Sequence, residues 1–231
     1  MLTLEEFRTY SGSGTYPLFV DCRTMGYRDA LSLQEEILAG VMDMKLPGVF
    51  LFVEHPPVIT LGIRKGSNRL LSTEEALNAS GIEVVPIRRG GGSTAHNPGQ
   101  LVIYPVIHLA RTGFRVAPYV RFLEETAIEL LGTLNVCGER RNRFPGVWVE
   151  DRKIASVGVQ LSHGVTMHGI AVNLYNDLSI FDHIIACGIE GVEMTNAEKE
   201  GGVRSGMDEL KQRSAEITAS RLPEKIRGGA S

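Results

Sequence analysis

Val147-Trp148-Val149, Lys153-Ile154-Ala155-Ser156-Val157-Gly158-Val159-Gln160-Leu161 and Val165-Thr166-Met167-His168-Gly169-Ile170-Ala171-Val172-Asn173-Leu174 are three extended, largely apolar runs in close succession. Two polar three-residue turns, Glu150-Asp151-Arg152 and Ser162-His163-Gly164, divide them. Connections that short join antiparallel neighbours, so residues 147–174 are expected to form a β-meander.

Upstream of the meander, Arg140-Arg141-Asn142-Arg143-Phe144-Pro145-Gly146 reads as a basic loop. Before it, a helix opened by Pro118 keeps Val120, Leu123, Ala127, Leu130, Leu131 and Leu134 on one face. Residues 49–53 and 100–106 are continuous apolar runs, the pattern of buried strands. His55-Pro56-Pro57 breaks the first, and residues 58–61 resume an extended course. Residues 16–21 and 82–87 are further strands, and Ser72-Thr73-Glu74-Glu75 has capping-box chemistry for a short helix. From Tyr27, the residues Ala30, Leu33, Ile37, Leu38 and Val41 recur at helical spacing, and Leu46-Pro47-Gly48 ends that helix. Beyond residue 187 apolar density falls. Residues 207–222 alternate Glu, Lys and Arg with a few aliphatics, as a surface helix does, and the last residues read as frayed.

A chain of 231 residues with 43% hydrophobic content and no Pro- or Ser-rich linker is expected to bury one core as a single domain, 1–231, with a surface helix and tail from about residue 196. Its net charge of −3 gives no basic excess for nucleic acid. No basic segment followed by an apolar one opens the sequence, and no apolar run is long enough to span a bilayer, so a cytoplasmic location without membrane contact is expected. Cys22, Cys137 and Cys187 are three, far apart and outside CxxC pairs, which argues against both a disulfide framework and a zinc site. The histidines lack ligand spacing with a carboxylate, and no metal is expected.

Between the strands at 82–87 and 100–106 lies Arg88-Arg89-Gly90-Gly91-Gly92-Ser93-Thr94-Ala95-His96-Asn97-Pro98-Gly99-Gln100. Consecutive glycines let backbone amides approach a ligand, and successive N–H groups can form a nest for an oxygen. The segment matches neither GxxxxGK[ST] nor GxGxxG, so it reads as a binding loop and not, by motif, as a nucleotide cradle. Cys187, in Ile184-Ile185-Ala186-Cys187-Gly188-Ile189, sits at the end of an apolar run, where isolated cysteines are more often buried hydrophobes. Lys153 follows a polar turn, and strand alternation alone lets it face either way. His96, His163, His168 or His183 as base, with Asp177 or Asp182 to orient it, would make a Cys-His-Asp hydrolase a rival.

The motifs Arg89-Gly90-Gly91 with Thr94, His96 and Pro98-Gly99-Gln100-Leu101-Val102, then Gly146-Val147-Trp148-Val149, Arg152-Lys153-Ile154-Ala155, 165–173 and Cys187-Gly188-Ile189 follow one another in an order and spacing that resembles the lipoyl(octanoyl) transferase family. The resemblance runs from about residue 27 to 195. It implies an α+β fold like the catalytic domain of biotin and lipoate protein ligases, a mixed, largely antiparallel sheet flanked by helices. It implies transfer of octanoyl or lipoyl from the phosphopantetheine of acyl carrier protein to a lysine of lipoyl domains of 2-oxoacid dehydrogenases and of the glycine cleavage H protein, with no other cofactor. The family's cysteine carries the acyl thioester and its lysine lowers the cysteine's pKa; these fall on Cys187 and Lys153. The family's acyl-site segments fall on Arg89, Gly90, Gly91, Gly92, Ser93, Thr94, Ala95 and His96, on Ser156, Val157 and Gly158, and on Gly169, Ile170 and Ala171.

The chemistry agrees with that implication. A thiol of ordinary pKa near ~8.5 is mostly protonated at neutral pH, and an adjacent ammonium favours the reactive thiolate. Thioester exchange followed by amide formation needs no ATP. Arg140, Arg141 and Arg143 form a candidate docking patch for an acidic carrier. Two positions depart from the family, which commonly has tyrosine where Ala95 stands and glycine where Asn97 stands. The first is expected to reshape the acyl site and its chain-length preference; the second keeps a residue tolerant of left-handed backbone. Rival readings are an ATP-dependent lipoate or biotin-type ligase, which would not need Cys187, a lipoyl amidotransferase, which would use another donor, and a binding module, which would tolerate loss of Lys153.

Overall fold

The computed structural model describes residues 1–10, 17–188 and 191–223, and of Cys187 only the backbone. Strand β1 (Leu2–Thr3) leads into the one-turn helix α1 (Leu4–Arg8), where Thr3 and Glu6 form a capping box. Strand β2 (Leu18–Thr24), helix α2 (Tyr27–Met42) and strand β3 (Val49–Glu54) follow. Next come β4 (Val58–Leu61), α3 (Glu74–Ala79), β5 (Glu83–Pro86), β6 (Thr94–His96) and β7 (Gln100–Val106). Helices α4 (Leu109–Thr112) and α5 (Val116–Gly132) precede β8 (Glu139–Arg141), β9 (Phe144–Val149), β10 (Arg152–Ser162) and β11 (Val165–Asn173); α6 (Met207–Arg221) comes last.

Eight strands make one sheet in the order β1-β2-β3-β7-β11-β10-β9-β8. The pairings of β1 with β2 and of β2 with β3 are parallel and the others antiparallel, so the sheet is mixed and largely antiparallel, as expected. The meander over β9, β10 and β11 forms as its short turns require. Strands β4, β5 and β6 make a second sheet in the order β5-β4-β6. The chain passes from one sheet to the other at Pro56-Pro57, which have no amide hydrogens to continue the β3 ladder.

Strand alternation sends Leu101 and Ile103 of β7 toward α5, where they meet Leu123, Ala127, Leu130 and Leu131. Val102, Tyr104 and Val106 face the other way, onto Ala30, Leu33, Ile37 and Val41 of α2. With helices on both faces, every residue of β7 and β11 is buried, which is why these strands read as unbroken apolar runs.

Four features differ from the sequence reading. α5 begins at Val116, and Pro118 occupies its first turn, where an amide has no helical acceptor to lose. The short helix α3 is capped by Thr73, whose hydroxyl accepts from the Ala76 amide, without the reciprocal bond of a capping box. Residues 140–146 are not a free loop, because they contain part of β8, a tight turn and the start of β9. Finally, α6 is not a solvated helix. It buries Leu210, Lys211, Ser214, Ala215, Ile217 and Thr218, and Lys211 donates to Asp21 at 3.0 Å. Small polar residues on the buried face hid that packing from a reading based on apolar periodicity. Tyr16, expected to start the first strand, lies outside the described residues, as do residues 227–231. Among the described residues no helix is long and apolar enough to cross a membrane.

Candidate active site

A cavity of about 490 Å³ opens between the two sheets, bounded by β7, β10 and β11 of the large one and by β6 of the small one. That size suits a small ligand. Two irregularities of the meander turn side chains toward it. The register between β9 and β10 pairs Trp148 with Lys153 and Val147 with Ala155, so Ile154 is an extra residue and β10 bulges there. Lys153, Ile154 and Ala155 are consequently all buried, although simple alternation would expose one of them. In β11, His168, paired with Val159 of β10, has φ of 57°, and its amide donates to Gln34 Oε1 of α2 at 2.7 Å and not to β7. The β7–β11 ladder runs only between Ile170–Asn173 and Gln100–Ile103, leaving Pro105, with no N–H to offer, beside the break.

The glycine-rich segment lines the cavity with Arg89 through Thr94 and with His96. Arg89 is buried, and its guanidinium donates to the carbonyls of Gly90, Gly92 and Thr60 and to Thr60 Oγ1, at 2.8–3.1 Å. It clamps the loop from within. Its aliphatic part lies along Gly158 of β10, where a Cβ would stand 2.8 Å from Arg89 Cδ, and the Gly90 amide donates to the Val159 carbonyl. Ser156, Val157, Gly158, Gly169, Ile170 and Ala171, which the resemblance assigns to an acyl site, all line the cavity.

Ala95 is not brought to the cavity. Thr94 and His96 face it, and the intervening residue of β6 points to the opposite side, into a core of Ile59, Leu77, Phe181 and Ile184. Its small side chain therefore does not shape this cavity. Asn97 does not have the left-handed backbone allowed for it; Gly99 carries it, with φ of 90°. Asn97 instead donates to the Asp177 carbonyl at 2.8 Å and accepts from Asn176.

Lys153 is 2% exposed and lines the cavity. Its Nζ stands 5.3 Å from the centre of the Trp148 ring, and Arg141 covers the same ring at 5.0 Å. The Lys153 amide donates to the Glu193 carbonyl and its carbonyl accepts from the Thr195 amide, which ties β10 to residues 193–195. The Cys187 side chain lies outside the described residues. Its neighbour Gly188 lines the cavity and packs on Ser67, as does Gly92 of the glycine loop; a Cβ at either glycine would collide with Ser67. Ser93 Oγ donates to the Ile185 carbonyl at 2.9 Å, and the Ile185 amide donates to the Arg69 carbonyl. The loop at 67–71 and Ser93 thus hold the segment that delivers Cys187. Sequence reasoning missed Ser67, which belongs to no chemical motif.

Five side chains, Tyr27, His55, Tyr104, His96 and His168, gather beside the cavity. His55 Nδ1 lies 2.7 Å from the Met25 carbonyl and must donate to it, so Nε2 accepts from the Tyr104 hydroxyl at 2.8 Å. His96 Nδ1 lies 2.7 Å from Gln100 Oε1, and Gln100 is oriented by donating to the Ala95 carbonyl and to Asn173 Oδ1. Burial pushes His55 down to about 4 and, with Arg89 adding repulsion, His168 down to about 3; His96 lies well below the usual imidazole range for the same first reason. All three are neutral at pH 7. His163, on the exposed β10–β11 turn, and His183, hydrogen-bonded to Ser72 at 2.8 Å, stand outside the cavity lining.

The basic segment divides. Arg140 pairs with Glu125 at 2.7 Å and Arg141 with Asp151 at 2.5 Å, whereas Arg143 lines the cavity mouth together with Arg64 and Phe144. Among the described residues, the exposed cations that line the mouth are therefore Arg64 and Arg143.

The fold is that of lipoate protein ligases. The bipartite lipoate protein ligase of Thermoplasma acidophilum, studied with its E2 lipoyl domain, superposes with a TM-score of 0.69 over 91% of this chain and 89% of its own at 16% identity. Residues 26–219 match the family of lipoyl protein ligase A/B catalytic domains, and the chain belongs to that family. Within it, the chain is 46% identical over 172 residues to the octanoyltransferase of Desulfotalea psychrophila, covering 74% of this chain and 77% of that protein. It is 39% identical to the mitochondrial octanoyltransferase LIP2 of Arabidopsis thaliana, over 77% of this chain and 76% of that one.

Proposed function

We propose that this protein moves an octanoyl group from acyl carrier protein to a lysine of a lipoyl domain through a thioester on Cys187. The activity, octanoyl transfer in protein lipoylation, follows from its family and from relatives of that name at 37–46% identity. The donor, the thioester route and the residue roles are the proposal. The observation that carries it is a buried lysine in the wall of a ligand-sized cavity whose rim includes Gly188, the residue after Cys187.

In the first step the Cys187 thiolate attacks the carbonyl of the carrier-bound thioester. The carbon–sulfur bond to phosphopantetheine breaks, and the departing thiolate takes a proton from the Lys153 ammonium, which leaves Lys153 neutral for the second step. The Lys153 ammonium favours the attacking thiolate. In the second step the amine of the acceptor lysine attacks the new thioester, an amide forms, and Cys187 leaves as thiolate. The amine must lose a proton, and Lys153 in its neutral form takes it. The acyl chain occupies the apolar wall formed by Val102, Val157, Val159 and Ile170. No phosphoryl group is transferred, so ATP is not consumed.

Arg64 and Arg143 at the mouth are proposed to meet the acidic surface of the carrier, which steers encounter more than it adds affinity. The test is transfer from octanoyl-carrier protein to a purified lipoyl domain without ATP, followed by the mass of the acceptor. Transfer that needs ATP and free octanoate, and that persists in Cys187→Ala, would instead support a ligase.

A further inference from the structure

We propose that Glu124 is a positioning residue for Lys153, acting through Gly146. The proposal rests on the roles given above to Cys187 and Lys153. Glu124 lies on α5, is buried, and its Oε1 accepts the Gly146 amide at 2.8 Å. Gly146 needs that partner because it belongs to neither ladder of its strand. On the β8 side the register passes from Arg140↔Val147 to Arg141↔Phe144, skipping Gly146, and on the β10 side pairing stops at Val147↔Ala155. A buried amide outside the ladder must find another acceptor.

Gly146 is also the wall on which the catalytic lysine lies. Its φ is 127°, open to glycine alone in practice, and a Cβ there would stand 2.7 Å from Lys153 Cε and 3.3 Å from Nζ. Two residues along the same face of β9, the Trp148 ring stands beneath Nζ. The slot for the lysine is thus made by β9, and the carboxylate on α5 fixes where that strand begins. Without it, Gly146 and the slot are free to shift, and Nζ loses its place relative to Cys187.

The measurement is the rate of Cys187 alkylation by iodoacetamide against pH, read on the Cys187 peptide by mass spectrometry because Cys137 is exposed. Wild type, Lys153→Met, Glu124→Ala and Glu124→Gln are compared as full-length chains, with kcat for transfer. Lys153→Met is expected to move the profile to higher pH. Glu124→Ala moves it the same way by a smaller amount and lowers kcat by about 10- to 100-fold with KM for the carrier little changed. Glu124→Gln keeps a carbonyl oxygen for Gly146 and stays near wild type. If Glu124→Ala does not fold, Glu124→Asp, one methylene shorter, is read in the same way. A Glu124→Ala or →Asp profile that superimposes on wild type overturns the proposal, since a merely structural role lowers only melting temperature. A Gln variant displaced as far as the Ala variant also overturns it, because charge and not the bond to Gly146 would then matter. If Lys153→Met leaves the profile unmoved, the thiol–lysine reading itself fails and takes this proposal with it.

Discussion

At residue scale, the cavity depends on side chains whose direction is set by broken regularity. Lys153 is buried because β10 carries an extra residue next to it, and His168 is turned by a left-handed backbone in mid-strand. Replacing Lys153 by Met keeps most of the volume and removes the ammonium. Transfer is expected to fall by about 10²- to 10⁴-fold while the thermal midpoint does not drop, as measured by acceptor mass and by calorimetry. Ala95→Tyr would restore the aromatic residue common in the family. Here it enters the core behind β6, so it is expected to cost about 1–3 kcal/mol of stability by overpacking and to leave the preference among acyl chain lengths unchanged. A changed preference in competition assays would return Ala95 to the acyl site. The motifs made Lys153 and the 89–96 loop legible as chemically important residues. They did not show that Arg89 is spent on its own loop, or that one residue of the loop faces away, because both follow from tertiary contacts with Thr60 and Gly158 and from the short strand β6.

At the scale of elements, the longer strands and α2 and α5 were legible because apolar period and helix boundaries agree, whereas the two- and three-residue strands β1, β6 and β8 are too short to show a period. What was not legible was attachment. Helix α6 offers few aliphatics, yet Lys211, 1% exposed, is held by Asp21 at 3.0 Å with Glu54 at 3.8 Å, and Glu54 also accepts the Gly99 amide at 3.0 Å. A buried lysine between two carboxylates reads in sequence as an ordinary surface charge. Lys211→Met leaves both carboxylates without their cation, and unfolding in urea should show a loss of about 1–3 kcal/mol. A variant as stable as wild type would mean that α6 contributes through packing alone. The same helix-to-strand logic connects α5 to β9 through Glu124.

At the scale of the molecule, three neutral histidines beside one cavity couple folding to pH. Their folded pKa values lie below the unfolded value of about 6.5, so the unfolded chain binds protons first as pH falls. Stability should therefore be greatest above about pH 6.5 and fall through the acid range toward pH 3–4, by up to about 1.4 kcal/mol per pH unit for each histidine. Denaturant titrations at a series of pH values measure that slope, and a flat profile down to pH 5 would contradict it. Docking also belongs to this scale. Arg64→Glu with Arg143→Glu should raise KM for the carrier several-fold and weaken its salt dependence, with kcat nearly unchanged. The central claim is the thioester on Cys187, and the most direct test is the intact mass of the protein after mixing with octanoyl-carrier protein without ATP, beside Cys187→Ser. A hydroxylamine-labile octanoyl adduct on the wild type and none on the variant is the predicted result. Transfer to a lipoyl domain at the wild-type rate by Cys187→Ser, with no adduct on either protein, would contradict it.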